Sequence, residues 1–270
     1  YTYNYNVHGS MTSMPHLSTM DWNIFEQMSH TYLIGGGNAY YVYDGSGNRV
    51  RKVIEKIQGT REERIYLGNF EIYREYDSSD TITLERETLH VMDDKQRIAM
   101  IDTRTVGTDN YEQQLTRYQF SNHLGTATLE LNDNANVISY EEYHPFGTTS
   151  YQAMSSEIKA TAKRYRYTGK ERDDETGFNY HSARYYAPWI ARWTAADPIG
   201  VGDGWNVYNY VGNKPIEKYD SIGLAGTNQS ENKVIVKGIE SIEEGEELLR
   251  RFANDQNRNY FEYALIQDKV

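Results

Sequence analysis

One short pattern recurs along the chain. An Asp or Asn is followed by small polar residues and glycine, and then by a residue that opens a new alternating run. The clearest copy is Tyr43-Asp44-Gly45-Ser46-Gly47-Asn48-Arg49-Val50: a strand, a tight turn, and a strand opened by Arg. Weaker copies stand at Tyr5-Asn6, Tyr76-Asp77 and Leu131-Asn132. Asn, Asp and Gly tolerate positive φ, so alternating residues on either side of such a turn form a hairpin. Repeated hairpins bury each unit's face on its neighbours, which gives a solenoid or a curled sheet.

Strand signals fill the intervals. Residues 40–43, 50–54, 64–67, 70–76, 81–89, 98–103, 115–120 and 127–131 alternate with β-branched or aromatic residues. The Ser- and Ala-rich segment 152–163 fits a loop or a short helix. The chain has 25 Tyr against seven Phe and four Trp. Tyr suits half-wet sheet faces, where the ring packs and the hydroxyl stays hydrated. The expected fold is therefore all-β, with no long amphipathic helix before Ser241.

The net charge of −11 argues against a nucleic-acid partner, which normally selects a basic surface. No apolar run approaches the roughly 18 residues of a membrane helix. With no Cys, neither a disulfide framework nor a thiolate metal site exists. Tyr1-Thr2-Tyr3-Asn4 has no signal-peptide pattern and no initiator Met, so the chain reads as a fragment of a longer protein.

Beyond residue 224 the character changes. Residues 234–236 read as a strand. Ser241-Ile242-Glu243-Glu244 is a capping box opening a helix, and 261–266 reads as another strand. A β-α-β start at a composition change marks a new domain that is not complete by Val270.

The densest motifs lie in residues 165–224. They include Tyr167-Thr168-Gly169-Lys170-Glu171-Arg172-Asp173, Ala183-Arg184-Tyr185-Tyr186, Asp197-Pro198-Ile199-Gly200 and Asp220-Ser221-Ile222-Gly223-Leu224. Upstream, Asn122-His123-Leu124-Gly125 and Tyr143-His144-Pro145-Phe146-Gly147 belong to the same set. Together they resemble the Rhs repeat-associated core domain of Rhs effectors and of the C component of Tc toxins, with the hairpins upstream as YD repeats. The resemblance covers roughly residues 1–224. It implies a YD-repeat shell over 1–164, an Rhs core closing it as a plug over 165–224, and the start of a variable toxin domain over 225–270.

In that family two Asp and one Arg support self-cleavage after the final Leu. Matched by position they are Asp197, Asp220 and Arg184, with the cut between Leu224 and Ala225. Elementary chemistry agrees. Peptide hydrolysis by carboxylates needs two of them close together, and adjacent like charges share a proton, so one is an acid while the other activates water. An Arg holds one carboxylate ionised or braces the scissile carbonyl. From spacing alone, two aspartates that merely cap D-x-x-G turns is the stronger reading, and the resemblance reverses that. Ser221 stands where the family usually has Pro, which would fix φ at that turn.

Other motifs carry less. Gly35-Gly36-Gly37 and the glycines at 200, 202 and 204 lack a following Lys-Ser/Thr, so they read as turns rather than phosphate loops. His123 reads as a turn or core residue, and residues 164–166 and 170–172 as a solvated or ion-paired face. No cofactor or metal is expected. The resemblance implies as partners the chain's own C-terminal toxin segment as cargo, the rest of an Rhs or Tc shell, a delivery machine and an immunity protein. It also implies secretion or delivery into target cells. Cargo would rest on a Tyr-rich inner face. The rival is a non-proteolytic YD-repeat adhesion or scaffold protein of the cell surface.

Overall fold

The computed structural model describes residues 2–93, 96–224 and 226–228. Twelve strands, from Leu17–Trp22 to Thr149–Met154, follow one another in sequence order as a single antiparallel meander that is not closed into a barrel. The expected strands all fall in it, and several run longer than the alternation suggested: Ile82–Asp93 and Gln96–Gly107 have 12 residues each. Of the stretch 152–163 expected as loop or short helix, residues 152–154 finish the last strand and the rest, through 164, is loop. The strands and helix expected at 234–236, 241–251 and 261–266 lie outside the described residues.

One turn geometry makes most of the connections. The N–H of residue i bonds the carbonyl of i+4, and the N–H of i+3 bonds the carbonyl of i; this recurs at Asn6, Asn23, Asp44, Asp77, Asn122 and Asn132. At each, the Asn or Asp Oδ1 also accepts the N–H groups of i+2 and i+4, as with Ser46 and Asn48 on Asp44, both at 2.9 Å. Short Asx side chains are selected because they satisfy two turn donors that the ladder leaves open. Residue i+3 is left-handed: Gly47 has φ +84°, but Glu26, Asp80 and Ala135 occupy the same position at +56°, +66° and +58°.

Residues 160–224 hold few strands and four short 3-10 turns, and they lie against one face of this sheet. Tyr185 and Tyr186 show how. Tyr185 enters a buried cluster with Met11, Met14, Leu17, Met20, Met28 and Tyr41 from the early strands. Its neighbour Tyr186, pointing the other way as strand residues must, stacks on Tyr210 at 4.2 Å and bonds the Phe146 carbonyl beside the last strands. One two-residue step thus joins both ends of the meander. Each fully buried apolar side chain contributes about 1.5–3 kcal/mol.

The covered face differs from the Tyr-rich expectation. Lys52, Glu63, Glu71, Arg86, Arg117, Glu130 and Glu141 are all buried on the meander strands. Some pair within the meander, as Arg117 does with Glu130 at 2.6 Å and Arg86 with Asp109 at 2.7 Å, and others with charges from the inner segment. Arg49 meets Asp173 at 2.6 Å and Glu171 at 2.7 Å; Lys52 meets Asp173 at 2.7 Å; Arg164 bridges Glu71 at 2.7 Å and Glu171 at 2.9 Å. Tyrosine is there too, with Tyr41 and Tyr76 buried on it and the Arg49 guanidinium 5.1 Å from the Tyr66 ring centre. Of residues 164–166 and 170–172, Arg164, Arg166 and Glu171 are ion-paired, while Lys170 holds a backbone carbonyl.

Candidate functional site

Asp197 and Asp220 each open a D-x-x-G turn capped by the Asp side chain, without the full backbone pattern of the hairpin turns. Asp197 Oδ1 accepts the Ile199 N–H at 3.0 Å, and Gly200 N donates to the Asp197 carbonyl at 2.9 Å. Asp220 Oδ1 accepts three N–H groups: Gly223 at 2.7 Å, Ile222 at 3.2 Å and Leu224 at 3.3 Å. The turn-capping role is thus present in both. It uses Oδ1 and leaves Oδ2 for something else.

In both residues Oδ2 turns to Nη2 of Arg184, at 2.9 Å for Asp197 and 3.7 Å for Asp220. The three site residues expected from the sequence are together, and their side chains are almost wholly buried. Arg184 also donates from Nε to the Gly223 carbonyl at 2.5 Å and from Nη1 to the Val207 carbonyl at 3.3 Å, with its guanidinium 4.1 Å from the Trp193 ring centre. A planar fork that donates to two carbonyls and faces two carboxylates is a task for Arg rather than Lys.

The loop itself is pinned. Gly223 sits at φ +80°, and a Cβ there would lie 2.7 Å from the His181 carbonyl and 3.0 Å from the Arg184 nitrogen. Only glycine allows the loop to lie this close to residues 181–184. Ala183 N donates to the Ile222 carbonyl at 3.0 Å. Ser221, in the place of the family's usual Pro, has its carbonyl held by Lys170 Nζ at 2.5 Å.

Burial pushes the Asp220 carboxyl above the usual range, against the pull of the Gly223 and Ile222 N–H groups and of Arg184. His181 is fully buried. Burial drives its imidazole well below its ordinary pKa, with Lys170 and Arg184 acting in the same sense. A neutral ring beside a carbonyl donates, so Nδ1–H bonds the Asp220 carbonyl at 2.7 Å. No group of His, Asp and Glu among the described residues is arranged to hold a metal ion. His123 bonds the Ile216 carbonyl from an exposed turn.

Lys170 and His181 were not singled out by the sequence reading. Neither has a partner at helical or ligand spacing; their one signal is position, Lys170 inside the 167–173 motif and His181 three residues before Arg184. Leu224 is half-buried beside Asp220. Ala225, the other half of the expected cleavage site, lies outside the described residues.

A meander of Asx-turn hairpins enclosing an Arg/Asp-centred inner segment defines an Rhs/YD-repeat protein, and the chain belongs to that family. Toxin subunit YenC2 of Yersinia entomophaga is 30% identical over 230 residues, 82% of this chain and 24% of that protein. Toxin subunit YenC1 of the same organism is 45% identical over 109 residues, 40% of this chain and 11% of that protein. The chain thus spans a quarter or less of these relatives. Among solved structures, TcdB2-TccC3 matches with a TM-score of 0.76 at 29% identity, over 82% of this chain and 11% of that one. No family model matches the chain.

Proposed function

We propose that the chain is the closing part of a toxin shell that cuts its own backbone after Leu224. On this reading residues 1–164 are shell wall, 165–224 the plug carrying the cutting site, and 225–270 the first part of the cargo. The toxin-subunit names of the relatives support the setting. The observation that carries the chemistry is the convergence of Asp197 Oδ2 and Asp220 Oδ2 on one Arg184 nitrogen, with Asp220 Oδ1 bonded to the N–H of Leu224 itself.

The roles follow from the surroundings. Asp197, ion-paired at 2.9 Å, is the carboxylate. Asp220, more buried and farther from the guanidinium, keeps the shared proton. Asp197 takes a proton from water, and the resulting hydroxyl bonds to the Leu224 carbonyl carbon. The C–N bond to Ala225 then breaks, and Asp220 passes its proton to the departing nitrogen. Arg184 holds the carbonyl just upstream, that of Gly223, so the peptide cannot turn away.

No helix among the described residues is long and apolar enough to cross a membrane. On this reading the rest of the shell and its machine deliver the cut segment, which is retained as cargo. The test is replacement of each aspartate by Asn. Asn keeps the size and the turn bonds but cannot share a proton, so Asp197→Asn and Asp220→Asn should both stay uncut on denaturing gels. Full-rate cutting in both would exclude the carboxylate mechanism.

A further inference from the structure

We propose that Lys170 is a positioning residue for this cut, its ammonium holding the Ser221 carbonyl and placing a positive charge beside the Asp220 carboxyl. The inference rests on the self-cleavage reading and adds a residue to it.

Four successive carbonyls of the loop each have a donor. That of Asp220 is held by His181 Nδ1 at 2.7 Å, Ser221 by Lys170 Nζ at 2.5 Å, Ile222 by Ala183 N at 3.0 Å, and Gly223 by Arg184 Nε at 2.5 Å. Three of these donors belong to the single turn 181–184. Lys170 alone comes from elsewhere. It follows the 3-10 turn Tyr167–Gly169, which is fixed to the meander where Thr168 N donates to Thr126 Oγ1 at 2.9 Å. Lys170 is therefore the link by which the sheet, not only the neighbouring turn, sets the position of the chain at the scissile bond.

An ammonium is a costly choice here. Burial lowers the Lys170 pKa, with Asp220 opposing, and a neutral side chain would fill the space without that penalty. The charge has a use next to an acid that must hold a proton and release it. The charged and titratable groups around Asp220 are Arg184, Asp197, His181 and Lys170, and Arg97 faces Lys170 from the sheet. His181 is neutral, so Lys170 and Arg184 are the cations that draw the proton off. Without Lys170 the Asp220 proton is held more tightly, and the pH at which cutting falls off on the alkaline side moves up.

Lys170→Met and Lys170→Arg in the full chain test this. Each is followed by single-turnover cutting across pH, with its thermal midpoint measured alongside. Wild type should be cut. Lys170→Met should be cut roughly tenfold or more slowly, as for loss of one charged hydrogen bond, with its alkaline limb displaced upward; Lys170→Arg should recover both. Wild-type rate and an unmoved limb in Lys170→Met overturn the inference and leave the aspartate pair standing. Equal slowing in both variants, with lowered thermal midpoints and an unmoved limb, shows a merely structural lysine and also overturns it. A wild-type chain that is never cut overturns the self-cleavage reading and this inference with it.

Discussion

Asp197 and Asp220, 23 residues apart, divide their carboxylates in the same way: one oxygen caps a turn and the other faces Arg184 Nη2, at 2.9 Å and 3.7 Å. The side-chain cap that recurs in the sheet's turns, Oδ1 accepting the N–H two residues on, is used here to orient a reactive group. The capping bonds orient each carboxylate, and Arg184 Nη2 is the point on which both Oδ2 atoms converge.

Glycine at 223 is the narrowest steric requirement of the site. Gly223→Ala should cost about 1–3 kcal/mol from its left-handed φ, and it pushes the loop off the His181 carbonyl and the Arg184 nitrogen. The expected outcome is a folded chain with a modestly lower thermal midpoint and severely slowed cutting. Cutting at the wild-type rate would show that the close approach is not needed.

The buried charges should be unforgiving of single deletions. Arg49→Ala leaves Asp173 and Glu171 short of their shared partner, and about 3–5 kcal/mol of stability should be lost in urea unfolding. Removing a partner together with Arg49 should cost less than the sum of the separate changes, because these residues act as one network. A loss below about 1 kcal/mol for Arg49→Ala would mean that water has replaced the guanidinium.

The same network sets the acid response. Burial favours the neutral form of Glu171, but Lys52, Arg49 and Arg164 outweigh it and hold the carboxyl down at about 2. A depressed carboxylate contributes its stability above the unfolded value of about 4.3 and loses it as pH falls towards the folded value. Stability should therefore fall progressively between about pH 4.5 and about 2, and Glu171→Gln should flatten that slope at the cost of lower stability at neutral pH. Denaturant midpoints across pH measure both.

The hairpin turns offer a milder test. Ala135 is left-handed at φ +58° where the turns at Asn6, Asp44 and Asn122 have glycine. Ala135→Gly should be neutral or stabilising by up to ~1 kcal/mol, the relieved strain being partly offset by unfolded-chain entropy. Asn132→Ala removes the acceptor for the Asn134 and Asn136 N–H groups at 3.0 and 2.9 Å and should cost about 1 kcal/mol. Thermal midpoints of the two variants should move in opposite directions or differ clearly.

These turns are also why the sheet could be read from the sequence. Asx-and-glycine spacing is a local code, and strands such as Phe70–Tyr76 sit where alternation places them. The inner segment is different. Arg184, Asp197 and Asp220 were found by motif resemblance, while Lys170 and His181 act through backbone carbonyls, which carry no sequence signature. The covered face was misread for a related reason. Period-two alternation marks which residues point inward, but whether an inward Glu71 or Arg117 is solvated or ion-paired depends on partners as distant as Arg164, 93 residues away from Glu71.

The most direct measurement is the intact mass of the chain extended through its natural C-terminus, under denaturing conditions, after native expression. The account requires two species whose masses meet at the Leu224–Ala225 bond, and a single uncut species in Asp197→Asn and in Asp220→Asn. One full-length mass in the unaltered protein, or fragments meeting at another bond, would contradict it.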